Sequence, residues 1–273
     1  MFWGWAERRF VFSPDAGLAD SPEVEGLHYE DVYLTSPDGL NLHAWFLPCS
    51  PGQAGSHTQT WLWFHGNGGN LGTRVGQLAR AHRLLGVHQL IFDYRGYGNS
   101  GGHPTERGTY LDARAALGYL QTRPDVDPER IVYFGHSLGA AVAVELAVEH
   151  PPAGMALVAP FSSIKDMAGL VMPVPLAGWL VRGHYDSLSR IGRVHTPLLV
   201  LHGELDEIVP HWQGFKLYLA ANRPKRFVTL YGASHNNVQH VAGDAMAQAL
   251  VQFRDGLAMG DVAPGYTPPT ISV

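Results

Sequence analysis

One short stretch of this sequence constrains its fold more than any other. The apolar run Ile131–Phe134 leads into the pentapeptide GHSLG, and a helical pattern of small and apolar residues, Leu138–His150, follows at once. Glycines at both ends of the pentapeptide, Gly135 and Gly139, suit a sharp turn in which a side chain would collide with neighbouring backbone. The pattern therefore predicts a buried strand, a tight turn that carries Ser137 at its tip, and a helix.

The rest of the chain repeats this alternation of strand and helix. Continuous apolar runs are typical of parallel strands covered on both faces, and apolar residues at helical spacing fall between them. The alternation implies right-handed crossovers and an α/β fold with a mostly parallel, doubly wound sheet of eight strands. The predicted strands are Leu27–Leu34, Leu40–Leu47, Thr60–Phe64, Gln89–Asp93, Ile131–Phe134, Met155–Ala159, Leu198–Leu201 and Phe227–Leu230. The predicted helices are Leu71–Leu85, Arg107–Thr122, Leu138–His150, Trp212–Ala221 and Asn237–Leu257.

Three segments depart from the alternation. Residues 35–39, TSPDG, form a turn signal that predicts an antiparallel hairpin of the first two strands. Residues 161–194 are longer than an ordinary crossover and rich in proline and apolar residues, so we expect a small cap insertion over one end of the sheet. Residues 259–273 contain several prolines and no apolar period, which predicts a flexible tail. Residues 1–258 are expected to form a single domain.

Composition narrows the class of protein. Lys and Arg number 19 and Asp and Glu 24, giving a net charge of −5. A mildly acidic chain without a basic run is poorly suited to bind nucleic acid, because phosphate neutralisation requires clustered Lys and Arg. The single cysteine, Cys49, excludes an intramolecular disulfide and fits a reducing compartment. Since no signal peptide or run of about 20 apolar residues is evident, we expect a cytoplasmic protein without a stable membrane anchor.

A serine hydroxyl needs assistance to act as a nucleophile. An imidazole must accept its proton, and a carboxylate must orient the imidazole. Asp206 follows the predicted strand Leu198–Leu201 in the pattern HGELDEIVP, and His235 follows the last predicted strand in the loop GASH. With Ser137 they give the chain order serine, acid, histidine that accompanies a strand–GxSxG–helix turn. We therefore predict Ser137, Asp206 and His235 as the catalytic residues.

Other residues compete for these roles. Glu204 and Glu207 flank Asp206, which is preferred because Val209-Pro210 turns the chain toward the next helix. Among the 15 histidines, three flank motif glycines or strand ends and are alternatives as metal ligands: His65, His136 and His202. A zinc site would need a ligand spacing such as H-E-x-x-H, which the sequence lacks. We expect neither a metal nor another cofactor.

A second glycine-rich loop, HGNGGN, follows the predicted strand Thr60–Phe64. Acyl transfer generates an oxyanion, which backbone N–H groups stabilise. Leu138, directly after the predicted nucleophile, is expected to supply one N–H; Asn67 is expected to supply the other, with Gly68 as the alternative. The glycines match neither G-x-x-x-x-G-K-[ST] nor G-x-G-x-x-G, so the loop does not predict a phosphate site.

A further motif, DYRGYGNSGG, begins at Asp93. Asp93 and Arg95 are chemically able to take part in catalysis, but the three predicted catalytic residues are complete without them. We therefore interpret both side chains as braces of a tight loop whose glycines permit the turn.

Jointly, the motifs HGNGGN, DYRGYGNS, GHSLG, HGELDEIVP and ASH resemble those of the α/β-hydrolase superfamily, from about Leu27 to Leu257. Within it, the sequence looks most like a branch with a minimal cap that includes abhydrolase-domain protein depalmitoylases and bacterial relatives of unassigned substrate. The resemblance implies an α/β-hydrolase fold with Ser137 as nucleophile, His235 as base and Asp206 as orienting acid. It implies cleavage of a carboxylic ester or thioester through an acyl-enzyme.

Two segments bear on the substrate and on membrane contact. An apolar set in the cap either closes over Ser137, which would favour acyl or aromatic esters, or packs on the sheet edge. Its members are Met167, Leu170, Val171, Met172, Val174, Leu176, Trp179 and Leu180. The Trp-rich residues 2–9 either make weak peripheral contact with a membrane or pack against the body. A serine peptidase of the same fold and a non-catalytic binding protein are alternatives to the ester or thioester hydrolase.

Overall fold

Strands and helices alternate along most of the chain, and the computed structural model describes residues 11–50, 52, 58–171 and 185–260. The strands are β1 (Ser13–Pro14), β2 (Glu30–Thr35), β3 (Asn41–Leu47), β4 (Thr60–Phe64), β5 (Gly68–Gly69), β6 (His88–Phe92), β7 (Ile131–His136), β8 (Gly154–Val158), β9 (Leu198–Gly203) and β10 (Lys225–Leu230). The helices are α1 (Val75–Leu85), α2 (Glu106–Thr122), α3 (Leu138–Glu149), α4 (Ile164–Val171), α5 (Ser187–Ile191), α6 (His211–Ala220), α7 (Val238–Val241) and α8 (Gly243–Met259).

Eight of the strands form one mixed sheet in the order β10-β9-β8-β7-β4-β6-β3-β2. The pairs from β10 through β9, β8, β7 and β4 to β6 are parallel, whereas β3 runs antiparallel to both β6 and β2. This arrangement confirms the predicted eight-stranded, mostly parallel sheet and the predicted hairpin of the first two strands. The short strands β1 and β5 form a separate parallel pair.

The sheet is covered on both faces, which explains the continuous apolar runs. Along β4, Leu62 and Phe64 belong to the hydrophobic cluster on the side of α2 and α3. Trp61 and Trp63 belong to the cluster on the side of α1 and α8. Because successive side chains of a strand point to opposite faces, a doubly covered strand has no polar positions to alternate with.

Element boundaries differ from prediction where short turns intervene. The first strand of the sheet covers Glu30–Thr35 rather than 27–34, because the preceding 3-10 turn ends at Gly26 (φ 68°) and the following residues are irregular. The pattern predicted as one helix over 71–85 begins with a 3-10 turn capped by Asn70. The last predicted helix divides at Ala242 into α7 and α8.

The cap segment is described only at its two ends, α4 and α5. Met167 is partly buried against the core, whereas Leu170 is 46% exposed. The side chain of Val171 and the other members of the apolar set lie outside the described residues, as do residues 2–9 and the tail beyond 260. Helix α8 extends to Met259, one residue beyond the predicted end of the domain. Within the described ranges, no helix is both long and apolar enough to cross a membrane.

Candidate active site

Loops from neighbouring strands meet at the carboxyl edge of the sheet. Phe64 at the end of β4 is in register with Gly135 near the end of β7, and Gly203 at the end of β9 is in register with Leu230 at the end of β10. Parallel strands end at the same edge, so the loops that follow these four strands converge. Those loops carry all the catalytic and oxyanion residues that the sequence analysis predicts.

The turn at Ser137 has a strained backbone, with φ 53° and ψ −114°. Helix α3 begins at the next residue, as the sequence pattern predicts. A methyl group on Gly139 would overlap the carbonyl oxygen of Phe64, and one on Gly135 would lie 2.7 Å from Cα of Ala140. Glycine is therefore required at both ends of the turn by close approach of backbone.

Asp206 and His235 form a buried pair. His235 Nδ1 lies 2.7 Å from Asp206 Oδ2, and each residue is 6% exposed. Asp206 Oδ1 accepts hydrogen bonds from the backbone N–H groups of Ile208 (3.0 Å) and Val209 (2.7 Å). Both carboxylate oxygens are occupied, so the acid is fixed by its own loop and the imidazole is held with Nδ1 toward it.

The neighbouring glutamates take no part in this pair. Glu204 and Glu207 are exposed, and Oε2 of Glu204 accepts a hydrogen bond from the backbone N–H of Gly232 at 3.0 Å. Among the three carboxylates of this loop, Asp206 is the one bonded to His235. The structure therefore brings Asp206, rather than either glutamate, into contact with His235.

A second imidazole lies beside the acid. His202 is fully buried, with Nε2 placed 2.8 Å from the carbonyl oxygen of Val209 and 3.5 Å from Asp206 Oδ2. Burial alone would raise the pKa of Asp206, but the imidazoles of His202 and His235 hold that pKa well below its ordinary range. Asp206 is therefore an anion at neutral pH, as an orienting acid must be.

His235 lies over the strained turn. Its ring is 5.2 Å, centre to centre, from the ring of His136, the residue before Ser137. Burial, and then the electrostatic effect of the neighbouring imidazole of His235, lower the pKa of His136 to about 3, so His136 is neutral at physiological pH. Although Ser137 and His235 are both within the described part of the chain, no hydrogen bond joins them. Such bonds often tighten only when substrate is bound.

The glycine-rich loop His65–Asn70, called the oxyanion loop below, lies against the same turn. A methyl group on Gly66 would lie 2.7 Å from Nδ1 of His136. Leu138 is the first residue of α3, and helix geometry gives its N–H no intrahelical acceptor. Among the described residues, the N–H of Asn67 has no acceptor either. Both predicted oxyanion donors are available to a ligand.

Asp93 and Arg95 brace the loops behind the site, as the sequence analysis favours. Asp93 Oδ1 accepts the backbone N–H of Leu71 at 3.0 Å, at the end of the oxyanion loop. The Arg95 guanidinium bonds to the buried Asp112 (2.7 Å) and to the half-exposed Asp38 (2.8 Å). Neither side chain bonds to the Asp206–His235 pair.

Two contacts to the oxyanion loop were not predicted. Oδ1 of Asn67 accepts hydrogen bonds from the backbone N–H of Ser13 (3.0 Å) and from the hydroxyl of Tyr97 (2.8 Å). The contact between His202 and Asp206 is also absent from the sequence prediction, in which His202 is only an alternative metal ligand. Ser13 lies 54 residues and Tyr97 30 residues from Asn67 in the chain, so no local pattern indicates these bonds.

Several other histidines are buried and bonded within the protein. His43 Nε2 lies 2.5 Å from Asp31 Oδ1, and His88 Nδ1 accepts the backbone N–H of Cys49 at 3.1 Å. Burial raises the pKa of the Cys49 thiol, which argues against a reactive thiolate. The described residues contain no group of three or more His, Cys, Asp or Glu that could hold a metal ion.

The fold is that of the α/β-hydrolases. A family model described as "Serine aminopeptidase, S33" matches residues 55–189. The chain is 41% identical over 254 residues to uncharacterized protein Rv2307c of Mycobacterium tuberculosis, covering 93% of this chain and 89% of that protein. It is 34% identical over 275 residues to alpha/beta hydrolase domain-containing protein WAV2 of Arabidopsis thaliana, with coverages of 92% and 88%. The protein belongs to the α/β-hydrolase superfamily.

Solved structures support the same fold. The esterase Pf2001 of Pyrococcus furiosus superimposes with a TM-score of 0.74, covering 91% of this chain and 98% of that one. At 20% sequence identity, this likeness concerns the fold rather than the substrate.

Proposed function

We propose that this protein is a serine hydrolase that cleaves carboxylic esters or thioesters through an acyl-enzyme. The observation that carries the proposal is the buried Asp206–His235 pair, 2.7 Å between Oδ2 and Nδ1, beside the strained turn that holds Ser137. A hydrogen bond from Nδ1–H to the carboxylate leaves Nε2 without a proton and therefore able to accept one.

The proposed reaction has two halves. Ser137 Oγ attacks the carbonyl carbon while His235 Nε2 takes the hydroxyl proton, and the carbonyl oxygen becomes an oxyanion that Asn67 and Leu138 N–H groups stabilise. His235 then gives the proton to the departing alcohol or thiol, leaving the acyl group on Ser137. A water molecule, deprotonated by His235, attacks the acyl-enzyme, and the carboxylic acid leaves as the proton returns to Ser137.

The substrate class rests on likeness and on one partial observation. The resemblance to minimal-cap protein depalmitoylases favours a thioester or ester of an apolar acyl group. The apolar composition of the cap also favours an apolar acyl group, and one of its side chains, Leu170, is 46% exposed. The matching family model is described as a serine aminopeptidase, which makes amide hydrolysis at a free amino terminus the second candidate.

The nucleophile is tested by Ser137→Ala. Hydrolysis of p-nitrophenyl esters is expected to fall by roughly 10⁴–10⁶-fold, because the rest of the site cannot replace the attacking oxygen. Ser189→Ala is the matched control, since this hydroxyl is exposed and, within the described part of the chain, bonds only to the backbone of Asp186. Undiminished activity of Ser137→Ala, or fluorophosphonate labelling of another residue, would overturn the mechanism.

The substrate class is tested on the wild-type protein. A series of acyl esters and thioesters of increasing chain length is compared with aminoacyl p-nitroanilides, and kcat/KM is measured for each. The proposal expects higher values for esters or thioesters, increasing with the length of the acyl chain. Equal rates for short and long chains would remove the argument for an apolar entrance, and a preference for anilides would favour the peptidase.

A further inference from the structure

The N-terminal part of the described chain crosses the oxyanion loop. Residues 12–17, called the N-terminal strap below, include β1, which pairs with β5 inside that loop. Further along, the side-chain amide of Asn70 donates hydrogen bonds to the backbone carbonyls of Asp15 (3.1 Å) and Gly17. The strap therefore holds the loop at its strand and at its last residue.

The strap and a second element meet on one atom of the loop. Asn67 Oδ1 accepts the backbone N–H of Ser13 at 3.0 Å and the hydroxyl of Tyr97 at 2.8 Å. Tyr97 is fully buried, and burial raises the pKa of its phenol, so the hydroxyl remains a proton donor at working pH. Two donors from different segments fix the Asn67 side chain and, through it, the peptide that carries its N–H.

The strap is itself anchored to the segment that carries Tyr97. The N–H of Gly98 donates to the carbonyl of Asp15 (2.9 Å), and the N–H of Gly17 donates to the carbonyl of Gly98 (3.3 Å). At the start of the strap, Phe12 is 6% exposed and packs edge-on against Tyr185, with ring centres 6.3 Å apart. The strap, the oxyanion loop and the residues Tyr97-Gly98 are thus hydrogen-bonded to one another, each part to the other two.

An oxyanion donor requires such support. It must lie 2.7–3.1 Å from the developing oxyanion, and a misplacement of about 1 Å can cost 10²-fold in rate. Asn67 stands between Gly66 and the pair Gly68-Gly69, and glycines impose little conformational restraint. Within the loop, His65 Nδ1 lies 2.7 Å from the carbonyl oxygen of Gly66, but the side chain of Asn67 is restrained from outside the loop, by Ser13 and Tyr97.

We propose that the Ser13 backbone N–H and the Tyr97 hydroxyl are positioning groups that hold the Asn67 N–H in place for the oxyanion. The inference rests on the proposed function, since it concerns the transition state of acyl transfer. It predicts loss of kcat with little change in KM, because a misplaced oxyanion donor weakens the transition state more than the bound substrate.

The experiment removes one donor at a time in the full chain. Ser13→Pro deletes the N–H, and Ser13→Ala, which keeps it, is the matched control because the Ser13 side chain is exposed. Tyr97→Phe removes the second donor. For p-nitrophenyl ester hydrolysis, kcat is expected to fall by about 10-fold or more in Ser13→Pro and in Tyr97→Phe. Ser13→Ala is expected to stay within twofold, with KM within about twofold in all three.

Coupling to Asn67 distinguishes positioning from general stability. Asn67→Ala keeps the backbone N–H but lacks Oδ1, so adding Ser13→Pro or Tyr97→Phe to it is expected to cause no further loss of kcat. In Ser13→Pro and Tyr97→Phe, the affinity for a boronic acid that mimics the tetrahedral intermediate is expected to fall in parallel with kcat/KM.

Three results would overturn the inference. The first is that Ser13→Pro and Tyr97→Phe have the same kcat as Ser13→Ala. The second is that their losses of kcat add fully to the loss caused by Asn67→Ala. The third is that these two variants have a lower Tm than the wild type but an unchanged kcat. If Ser13→Pro does not fold, Tyr97→Phe and its double variant with Asn67→Ala decide the question. Ester hydrolysis by Ser137→Ala at the wild-type rate would refute the proposed function itself. The kcat values of the Ser13 and Tyr97 variants test the role of the strap separately.

Discussion

The turn that carries Ser137 and the oxyanion loop face each other across the candidate site, yet they are held in place differently. At the turn, glycines are required because an added methyl group would overlap backbone atoms. A methyl on Gly139, for example, would overlap the carbonyl oxygen of Phe64. At the loop, the added methyl of Gly68 would meet nothing within 4 Å, and those of Gly66 and Gly69 would meet side chains, of His136 and Thr73, rather than backbone. The side chain of Asn67 is held by Ser13 and Tyr97. Backbone sterics fix the first region, and side-chain hydrogen bonds from distant segments fix the second.

The difference predicts how each region responds to substitution. Steric exclusion at the turn affects folding, since the adjacent strands β4 and β7 must move to accommodate extra atoms. Loss of a long-range hydrogen bond leaves the fold unchanged but alters the position and orientation of a reacting group. The Asp206–His235 pair belongs with the second region, because it joins loops that follow two different strands.

Among the substitutions that test this comparison, Asp206→Asn is expected to have the largest effect. An amide that keeps its oxygen on the N–H of Val209 turns its NH₂ toward His235, which forces the proton of the imidazole onto Nε2. An imidazole in that tautomer cannot accept the proton of Ser137, so kcat is expected to fall by roughly 10³–10⁴-fold. Ester hydrolysis by the purified, folded variant measures this.

Glu207→Gln is the control for that substitution. Glu207 is exposed on the same loop, and its replacement is expected to leave kcat within about twofold. A large loss of kcat in Glu207→Gln together with an active Asp206→Asn would show that Asp206 is not the acid that orients His235.

The second effect concerns the turn. Gly139→Ala is expected to lower the free energy of unfolding by about 3 kcal/mol, because the methyl group overlaps the carbonyl oxygen of Phe64. Urea denaturation followed by circular dichroism measures the change. Gly118→Ala, in the middle of α2 with no atom within 4 Å of the added methyl, is expected to stabilise by up to ~1 kcal/mol. Equal stability of the two variants would contradict the steric account of the turn.

The smallest effect, a change in the free energy of unfolding, is expected at Asp38, the half-exposed partner of Arg95. The hydrogen bond from Arg95 lowers the pKa of Asp38 to about 2. Because this pKa is lower than the value of ~3.9 in the unfolded chain, the pair stabilises the fold above pH ~4 and loses that contribution as pH falls toward 2. The side chain of Asp38 is 41% exposed, so Asp38→Asn is expected to cost less than ~1 kcal/mol at pH 7.

This prediction is measured as a difference between wild type and variant. Urea unfolding at pH 7 and at pH 3 is expected to show a gap that narrows at the lower pH. Asp244→Asn, which removes a fully exposed partner 3.5 Å from Arg80, is expected to change the unfolding free energy less than Asp38→Asn does. A gap for Asp38→Asn that widens on acidification would have the wrong sign and refute the account.

Much of the fold was predictable because its signals are local. The apolar runs gave the eight strands of the sheet, and the TSPDG turn gave the hairpin. One boundary was missed before Val75, where a 3-10 turn replaces the start of the predicted helix, since apolar spacing does not distinguish the two kinds of helix. Another was missed before Glu30, where the residues between Gly26 and the strand are irregular.

The histidines illustrate the limit of composition. Fifteen of them drew attention as candidate bases or ligands. The structure gives several a buried position with a bonded partner, including His43 with Asp31 and His202 with Val209. Position in the chain indicated His235, but composition alone does not separate a base from a packed imidazole.

By itself, the sequence determined the sheet, the turn at Ser137 and the chain order of the candidate acid and base, because each depends on neighbouring residues and on backbone sterics. Only the tertiary structure decided that Asp206, the acid that the sequence pattern favours over Glu204 and Glu207, lies in contact with His235. It also decided that the strap reaches Asn67. These contacts join residues far apart in the chain, and a hydrogen bond depends on separations of a few ångströms that packing of the whole sheet sets.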